Sequence, residues 1–345
     1  MKNIVFFNLA VMPYHVAVFR ALIRKGYQCI VYWWGRAPKT SYRAPKIEGL
    51  IQIDRFDFVS AQSLYQDSSK WNPICVVSSG WRDKGYNKVC AKFKYLGTPT
   101  LATSDTQWRG GKQWFNRLLS PFRHKRYFDY IWAAGLLQYD YARKLGFDSS
   151  RILLNCFSAD TDIFSQVSLE EKYKVYPKRF LFVGRFVDVK GIDILLKAWN
   201  NIPDKKNWTL ELVGDGPLKE AFKRDYPNVI IKDFMSQEAL ANEASNAGCF
   251  ILPSRFEQWS LVIQEFASAA LPIICTRQCG ASRHFVLNGF NGFVVEADNI
   301  SELTESMNKI INLPVIELLK MSERSRHISQ TVTPDFVADT LLSIF

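Results

Sequence analysis

Two carboxylates, Glu257 and Glu265, stand eight residues apart in the stretch EQWSLVIQE. The first follows a strand-like run, CFILPS, in a polar loop. The second lies inside LVIQEFASAA, an apolar helical run with few polar neighbours to account for an acid. Eight residues of helix span about 12 Å, roughly the reach of a sugar, a diphosphate and a ribose laid in line. The backbone N–H groups from Glu257 through Gln258, Trp259 and Ser260 to Leu261 are expected to face the middle of such a ligand, where an anion is favoured.

A second group of candidates lies upstream, in FLFVGRFVDVKGIDILL. A strand ends at Gly184 and a helix begins near Gly191, with Arg185 and Lys190 in the loop between them. Two fixed cations beside a helix N-terminus at the carboxyl edge of a parallel strand make an anion site. The plain alternative is a surface loop with two solvated charges. LVGDGP, residues 212–217, is another strand-to-turn element whose glycines permit close backbone approach. Asp160-Thr161-Asp162 has the spacing of a metal-binding pair but falls in a polar connection, and no metal is expected there.

The elements that must position these groups read as alternating short apolar runs and helix-period segments. NIVFF, QCIVYWW, ICVVSS, TPTLATS, YIWAAG and RILLN form one series; RFLFVG, WTLELVG, NVIIKDF, CFILPS and PIICT form another. Such alternation means parallel sheets covered on both faces. The fold class is therefore α/β, with two doubly wound domains facing a cleft. The first is expected over 1–165, with a C-terminal helix over 333–345 packing back on it, and the second over 166–332. At 345 residues the chain is long enough for both. No apolar stretch reaches the roughly 18 residues of a membrane-spanning helix. The apolar N-terminal run is broken by Pro13, Tyr14 and His15 and reads as a first strand and helix, not a secretory leader. Seven scattered cysteines, mostly in apolar runs, read as reduced core thiols.

Charge is unevenly spread. Residues 1–165 hold 24 Lys/Arg against 11 Asp/Glu, whereas residues 166–345 hold 20 against 22. One half therefore suits an anionic partner.

Taken in order, VGRF-x3-KG, LVGDGP and S-x2-E-x7-E-x5-LPII resemble the donor domain of glycosyltransferase family 4. The likeness covers about residues 150–300, and it is architectural elsewhere. It implies the GT-B fold of two facing Rossmann-like domains, and a retaining transfer of a sugar from a nucleotide-sugar without a metal or other cofactor. It also implies site roles. Arg185 and Lys190, beside Gly184, would hold the donor diphosphate and stabilise the leaving group, Glu257 would bind sugar hydroxyls, and Glu265 would bind the ribose. Backbone groups at Gln258, Trp259, Ser260 and Leu261 would face phosphates and sugar. Gln258 stands where the family has glycine. CGASRH replaces a downstream GG-x2-E element, and NLAVMPYH replaces a glycine-rich loop.

On the acceptor side, Asp105 follows the strand TPTLATS and His15 lies in the first strand-to-helix loop. Asp105 suits hydrogen bonding or proton handling at an acceptor hydroxyl, or simple helix capping; His15 suits the same site or plain packing. The segment 108–128 carries Arg109, Lys112, Arg117, Arg123, Lys125 and Arg126 with no acid, interleaved with Trp108, Trp114, Phe115, Leu118, Leu119 and Phe122. A basic helix with aromatic anchors fits an anionic membrane surface; an ordinary amphipathic helix buried on one face is the alternative.

The expectation is a cytoplasmic hexosyltransferase, peripheral on the inner face of a bacterial membrane, using a UDP-sugar and a lipid-linked or oligosaccharide acceptor for a surface polysaccharide such as O-antigen of lipopolysaccharide or capsule. A GT-B epimerase or phosphorylase is the nearest alternative. A basic nucleic-acid-binding protein is disfavoured because no recognition motif is present and the second half is acidic. A nicotinamide oxidoreductase is disfavoured because no G-x-G-x-x-G follows either first strand.

Overall fold

The computed structural model describes residues 2–35 and 46–345. These residues form two units, one of 1–158 with 334–345 and one of 159–333. The first holds strands β1 (Lys2–Asn8), β2 (Tyr27–Trp33), β3 (Leu50–Asp54), β4 (Cys75–Ser78), β5 (Thr100–Ser104), β6 (Tyr130–Ala133) and β7 (Ile152–Leu153). The second holds β8 (Arg179–Val183), β9 (Thr209–Val213), β10 (Ile230–Lys232), β11 (Cys249–Leu252), β12 (Ile273–Thr276) and β13 (Gly292–Val295).

Among the described residues the sheet orders are β3-β2-β1-β4-β5-β6-β7 and β10-β9-β8-β11-β12-β13, and the paired strands are parallel. Helices cover both faces, so central strands read as continuous apolar runs; the last five residues of β1 are all buried. Ile4 pairs with Cys29 on one side and Cys75 on the other, which places both thiols in the core. All seven cysteines are buried and free.

Each sheet reverses its order once. After β3 the chain returns to lay β4 on the far side of β1, and after β10 it lays β11 beside β8. The carboxyl ends of β1/β4 and of β8/β11 are thus the topological switch points, where doubly wound sheets bind ligands.

The sequence reading missed β3 and β13. Every residue of β3 is only half-buried, as at a sheet edge, and β13 is four residues opening on a glycine. The domain boundary also needs correction: it falls before Ala159, not after 165. Phe164 packs on Phe266 with ring centroids 5.9 Å apart, and Ser268 Oγ donates to Thr161 O at 3.4 Å. These contacts bind 159–165 to the second unit.

One buried side chain ties down both ends of that unit. Gln264, on the helix Leu261–Ser268, accepts from Ala159 N at 2.8 Å. Its Nε2 donates to Val332 O at 2.5 Å and to Ser329 O at 3.2 Å. The C-terminal helix Pro334–Leu342 belongs to the first unit, where Asp335 and Asp339 pair with Arg24 and Lys25, each at 2.8 Å.

The basic segment is not one amphipathic helix. Gln113–Leu119 is helical, Ser120–Phe122 is a 3-10 turn and His124–Tyr127 is a separate helical turn. Pro121 has no N–H to continue the first helix. His124 is buried edge-on against Trp81, with centroids 4.6 Å apart. By contrast Trp114, Phe115, Leu118, Leu119 and Phe122 are exposed, the last by 73%.

Candidate functional site

The loop after β8 leads through a 3-10 turn, Asp188–Lys190, to the helix Ile192–Asn200. The backbone at Gly191 is left-handed, with φ +63°, and a Cβ there would lie 2.2 Å from Pro253 O. Only glycine lets this turn sit against the end of β11. Gly214 of LVGDGP makes the matching contact on the other side, where a Cβ would lie 1.9 Å from Gly184 O.

Arg255 then fixes the loop after β8 and ties it to Asp298. Its guanidinium reaches Asp193 at 2.8 Å, Asp298 at 2.7 Å and Asp188 Oδ1 at 3.2 Å, and its backbone N–H donates to Val189 O at 2.8 Å. The sequence reading passed over Arg255, since its partners lie far along the chain.

Lys190 and Glu257, expected to grip different parts of one ligand, meet each other: Lys190 Nζ pairs with Glu257 Oε1. Ser254 Oγ donates to the same oxygen at 3.1 Å. Both partners are mostly buried, with side chains 14% and 18% exposed. Arg185 is exposed beside them, and among the described residues it makes no ion pair. Among the described residues, the β8/β11 switch point thus presents Arg185 without an ion pair and Lys190 neutralised by an adjacent carboxylate.

The path between the two glutamates differs from expectation. Helix begins only at Leu261, so Glu257 to Ser260 are not helical and the eight-residue spacing is not a straight helical span. Glu257 bridges Cys279 instead. Its N–H donates to Gln278 O at 3.2 Å, so that group does not face a ligand. Gly280 N and Ala281 N in turn donate to Glu257 O and Trp259 O. Gln258 has no left-handed φ, so glycine is not required there. The strained position is Ser260, at φ 80° and ψ 75°. Trp259 is buried and its Nε1 has no partner among the described residues. CGASRH, residues 279–284, starts alongside this loop, and His284 at its end lies beside the Trp259 ring at 6.4 Å between centroids.

Glu265 accepts from Gln237 Nε2 at 2.9 Å. Burial pushes its carboxyl up to about 7; the Gln237 hydrogen bond opposes this and the charge of Asp160 adds to it. Asp160 is itself buried ahead of the short helix Thr161–Phe164. Among the described residues no group of three or more His, Cys, Asp or Glu is placed to hold a metal ion.

Asp105 and His15 lie in the first unit. Burial raises the Asp105 carboxyl, and Gln138 Nε2 donates to its backbone carbonyl at 2.9 Å. His15 accepts the Met12 N–H on Nδ1 at 3.0 Å, capping the helix Pro13–Arg24, and burial pulls its pKa down to about 3. The ring is therefore neutral and presents an Nε2–H donor, not a free base. In the basic segment Arg117 lies over the Trp114 ring at 5.4 Å, while Arg123, Lys125 and Arg126 form no ion pair among the described residues.

These features give an α/β chain whose second sheet carries Lys190 and Glu257 at its switch point. Residues 166–328, nearly all of the second unit, match the family model described as glycosyl transferases group 1. It is 32% identical over 162 residues to a glycosyltransferase of Haemophilus influenzae, covering 46% of each chain. It is 30% identical over 181 residues to the Staphylococcus aureus capsular polysaccharide biosynthesis glycosyltransferase CapM, covering 49% of this chain and 45% of that one. The chain thus spans less than half the length of these curated relatives.

Among solved structures, Anabaena Alr3699/HepE in complex with UDP is similar with a TM-score of 0.74 and 14% identity, over 100% of this chain and 99% of that one. Sucrose-phosphate synthase of Thermosynechococcus elongatus is similar with a TM-score of 0.76 and 15% identity, over 100% and 98%. At such identities the likeness establishes the fold alone, which is GT-B.

Proposed function

We propose that the protein is a retaining, metal-independent hexosyltransferase. It takes a sugar from a nucleotide-sugar, with UDP as the first choice of carrier, and passes it to a sugar acceptor carried on a lipid at an anionic membrane surface, in surface-polysaccharide assembly. The observation that carries this reading is the constellation Arg185, Lys190 and Glu257 at the β8/β11 switch point, with Glu265 on the following helix. The UDP in the Anabaena structure and the capsular role in the Staphylococcus relative's name support the donor and the pathway class.

In this mechanism Arg185 and Lys190 meet the charge that develops on the departing phosphate. Glu257 turns from Lys190 to the sugar hydroxyls, and Glu265 takes the ribose. As the bond from the sugar's anomeric carbon to the phosphate oxygen breaks, the acceptor oxygen bonds to that carbon on the same face. The acceptor's proton passes to the departing phosphate, so no protein base is needed, in keeping with the cap role of His15. Asp105 would orient the acceptor.

The exposed apolar side chains of 114–122 and the unpaired cations Arg123, Lys125 and Arg126 support docking on anionic lipid. No helix among the described residues is long and apolar enough to cross a membrane. A thermal-shift screen against UDP-, GDP- and ADP-sugars tests the reading. One nucleotide class should raise the melting temperature, and that rise should vanish in Glu265→Ala. No response to any of them would sink it.

A further inference from the structure

The first unit has its own switch point, and it is built differently from the second. At the carboxyl ends of β1 and β4 lies a cavity of about 30 Å³, large enough for one oxygen-sized group. Asn8, the last residue of β1, and Val77 of β4 form part of its lining, with Tyr14, His15, Thr103 and Phe157. Asn8 is 3% exposed, yet its Nδ2 has no hydrogen-bond partner among the described residues. Buried amides left in that state are uncommon and call for a partner. His15 adds a second donor, because Met12 occupies Nδ1 and leaves the proton on Nε2.

Around these groups stand aromatic rings: Tyr14 lies 5.0 Å from Phe157 and 4.3 Å from His15, centroid to centroid. Among the described residues no Lys, Arg, Asp or Glu lines the cavity. The β8/β11 crevice offers cations for phosphate; the β1/β4 crevice offers neutral donors among aromatic rings. A phosphate has nothing there to balance its charge, whereas a hydroxyl oxygen meets two N–H donors.

Resting on the glycosyltransferase reading, we propose that this notch is a saccharide subsite: it takes one neutral hydroxyl of the acceptor sugar, held by the Asn8 carboxamide and His15 Nε2–H beside the rings of Tyr14 and Phe157. It lies at the one place on this sheet where the strand order reverses, the same position that carries Lys190 and Glu257 in the second sheet.

The test uses the whole chain with saturating UDP and a panel of methyl glycosides of glucose, galactose, mannose and N-acetylglucosamine, read by saturation-transfer NMR. At least one glycoside should receive saturation in the unaltered protein, and its Kd should rise at least tenfold in Asn8→Leu. Leucine matches asparagine in size and removes an unpartnered amide, so the variant should melt no lower. His15→Phe, which keeps a ring but lacks Nε2–H, is the second variant and should weaken the same glycoside. Silence of every glycoside, equal binding by the unaltered protein and both variants, or displacement of the bound glycoside by inorganic phosphate at this site would each overturn the proposal. An ordered water alone in the notch counts as the first of these. The UDP thermal shift of the same samples separates the two readings. Its absence defeats the nucleotide-sugar assignment, whereas its presence with no glycoside effect defeats only the notch.

Discussion

Lys190 and Glu257 hold each other in the ligand-free protein, and this gives two substitutions that should agree on stability and disagree on binding. In Lys190→Met the ammonium is lost, and the Glu257 carboxylate, 18% exposed, loses that cation while it still accepts from the Ser254 hydroxyl at 3.1 Å. Breaking a fully buried pair costs about 3–5 kcal/mol; discounted for the partial exposure here, about 2 kcal/mol is expected. At roughly 2–4 °C per kcal/mol for a unit of this size, the melting point should fall by about 4–8 °C. Glu257→Gln should cost less, about 1 kcal/mol, because the amide oxygen still accepts from Lys190 and Ser254.

UDP affinity should move the other way. Lys190→Met removes a charge-assisted bond to phosphate worth about 1.5–3 kcal/mol, or roughly 10- to 100-fold in Kd. Glu257→Gln frees Lys190 from its carboxylate, and UDP, which carries no sugar for Glu257 to grip, should bind as well or better. The assay is titration calorimetry with UDP on the unaltered protein, both single variants and the double variant, each with a melting curve. If Lys190→Met bound UDP within twofold of the unaltered protein, the assignment of Lys190 to the diphosphate would be wrong.

Two further outcomes are expected. Glu265, raised to about 7 in the folded protein, holds a proton there that the unfolded chain releases near 4.3, so it lowers stability as pH rises through that window at up to about 1.4 kcal/mol per unit; denaturant unfolding at pH 5 and pH 7 should show this slope in the unaltered protein and a flatter one in Glu265→Gln. Replacing Arg123, Lys125 and Arg126 by Gln should weaken sedimentation with phosphatidylserine-rich vesicles by about 100-fold, at about 1 kcal/mol per cation near the surface, and leave binding to neutral vesicles unchanged; equal pelleting with anionic vesicles would count against membrane docking.

The central strands were legible because strands buried on both faces show as unbroken apolar runs, such as IVFF and CFIL. Edge strands bury one face and carry no such mark, so LIQID and GFVV passed unnoticed. At the site, the glycines and cations of VGRFVDVKG could be read because turn and charge lie within one loop. The Arg255 clamp, the Gln237 and Asp160 neighbours of Glu265 and the His284–Trp259 contact could not, because each joins residues brought together only by the sheet order. Likewise, 108–126 carries the composition of one amphipathic helix, but its period does not show where Pro121 stops the ladder or that His124, and not the tryptophan Trp114, turns inward.

Gln264 bears on how such a chain comes to exist. Its single amide holds Ala159, where the second unit begins, and Val332, one residue before its end, against one helix. A segment whose two ends are fastened at one place behaves as a cassette: it can be set into a host domain, or exchanged for another, while the host closes around the same short gap. The host here is a fold that resumes after the interruption with Pro334–Phe345. The family-model match over 166–328 falls within that cassette. On this view the second unit travels as one piece, and the first is free to diverge around it.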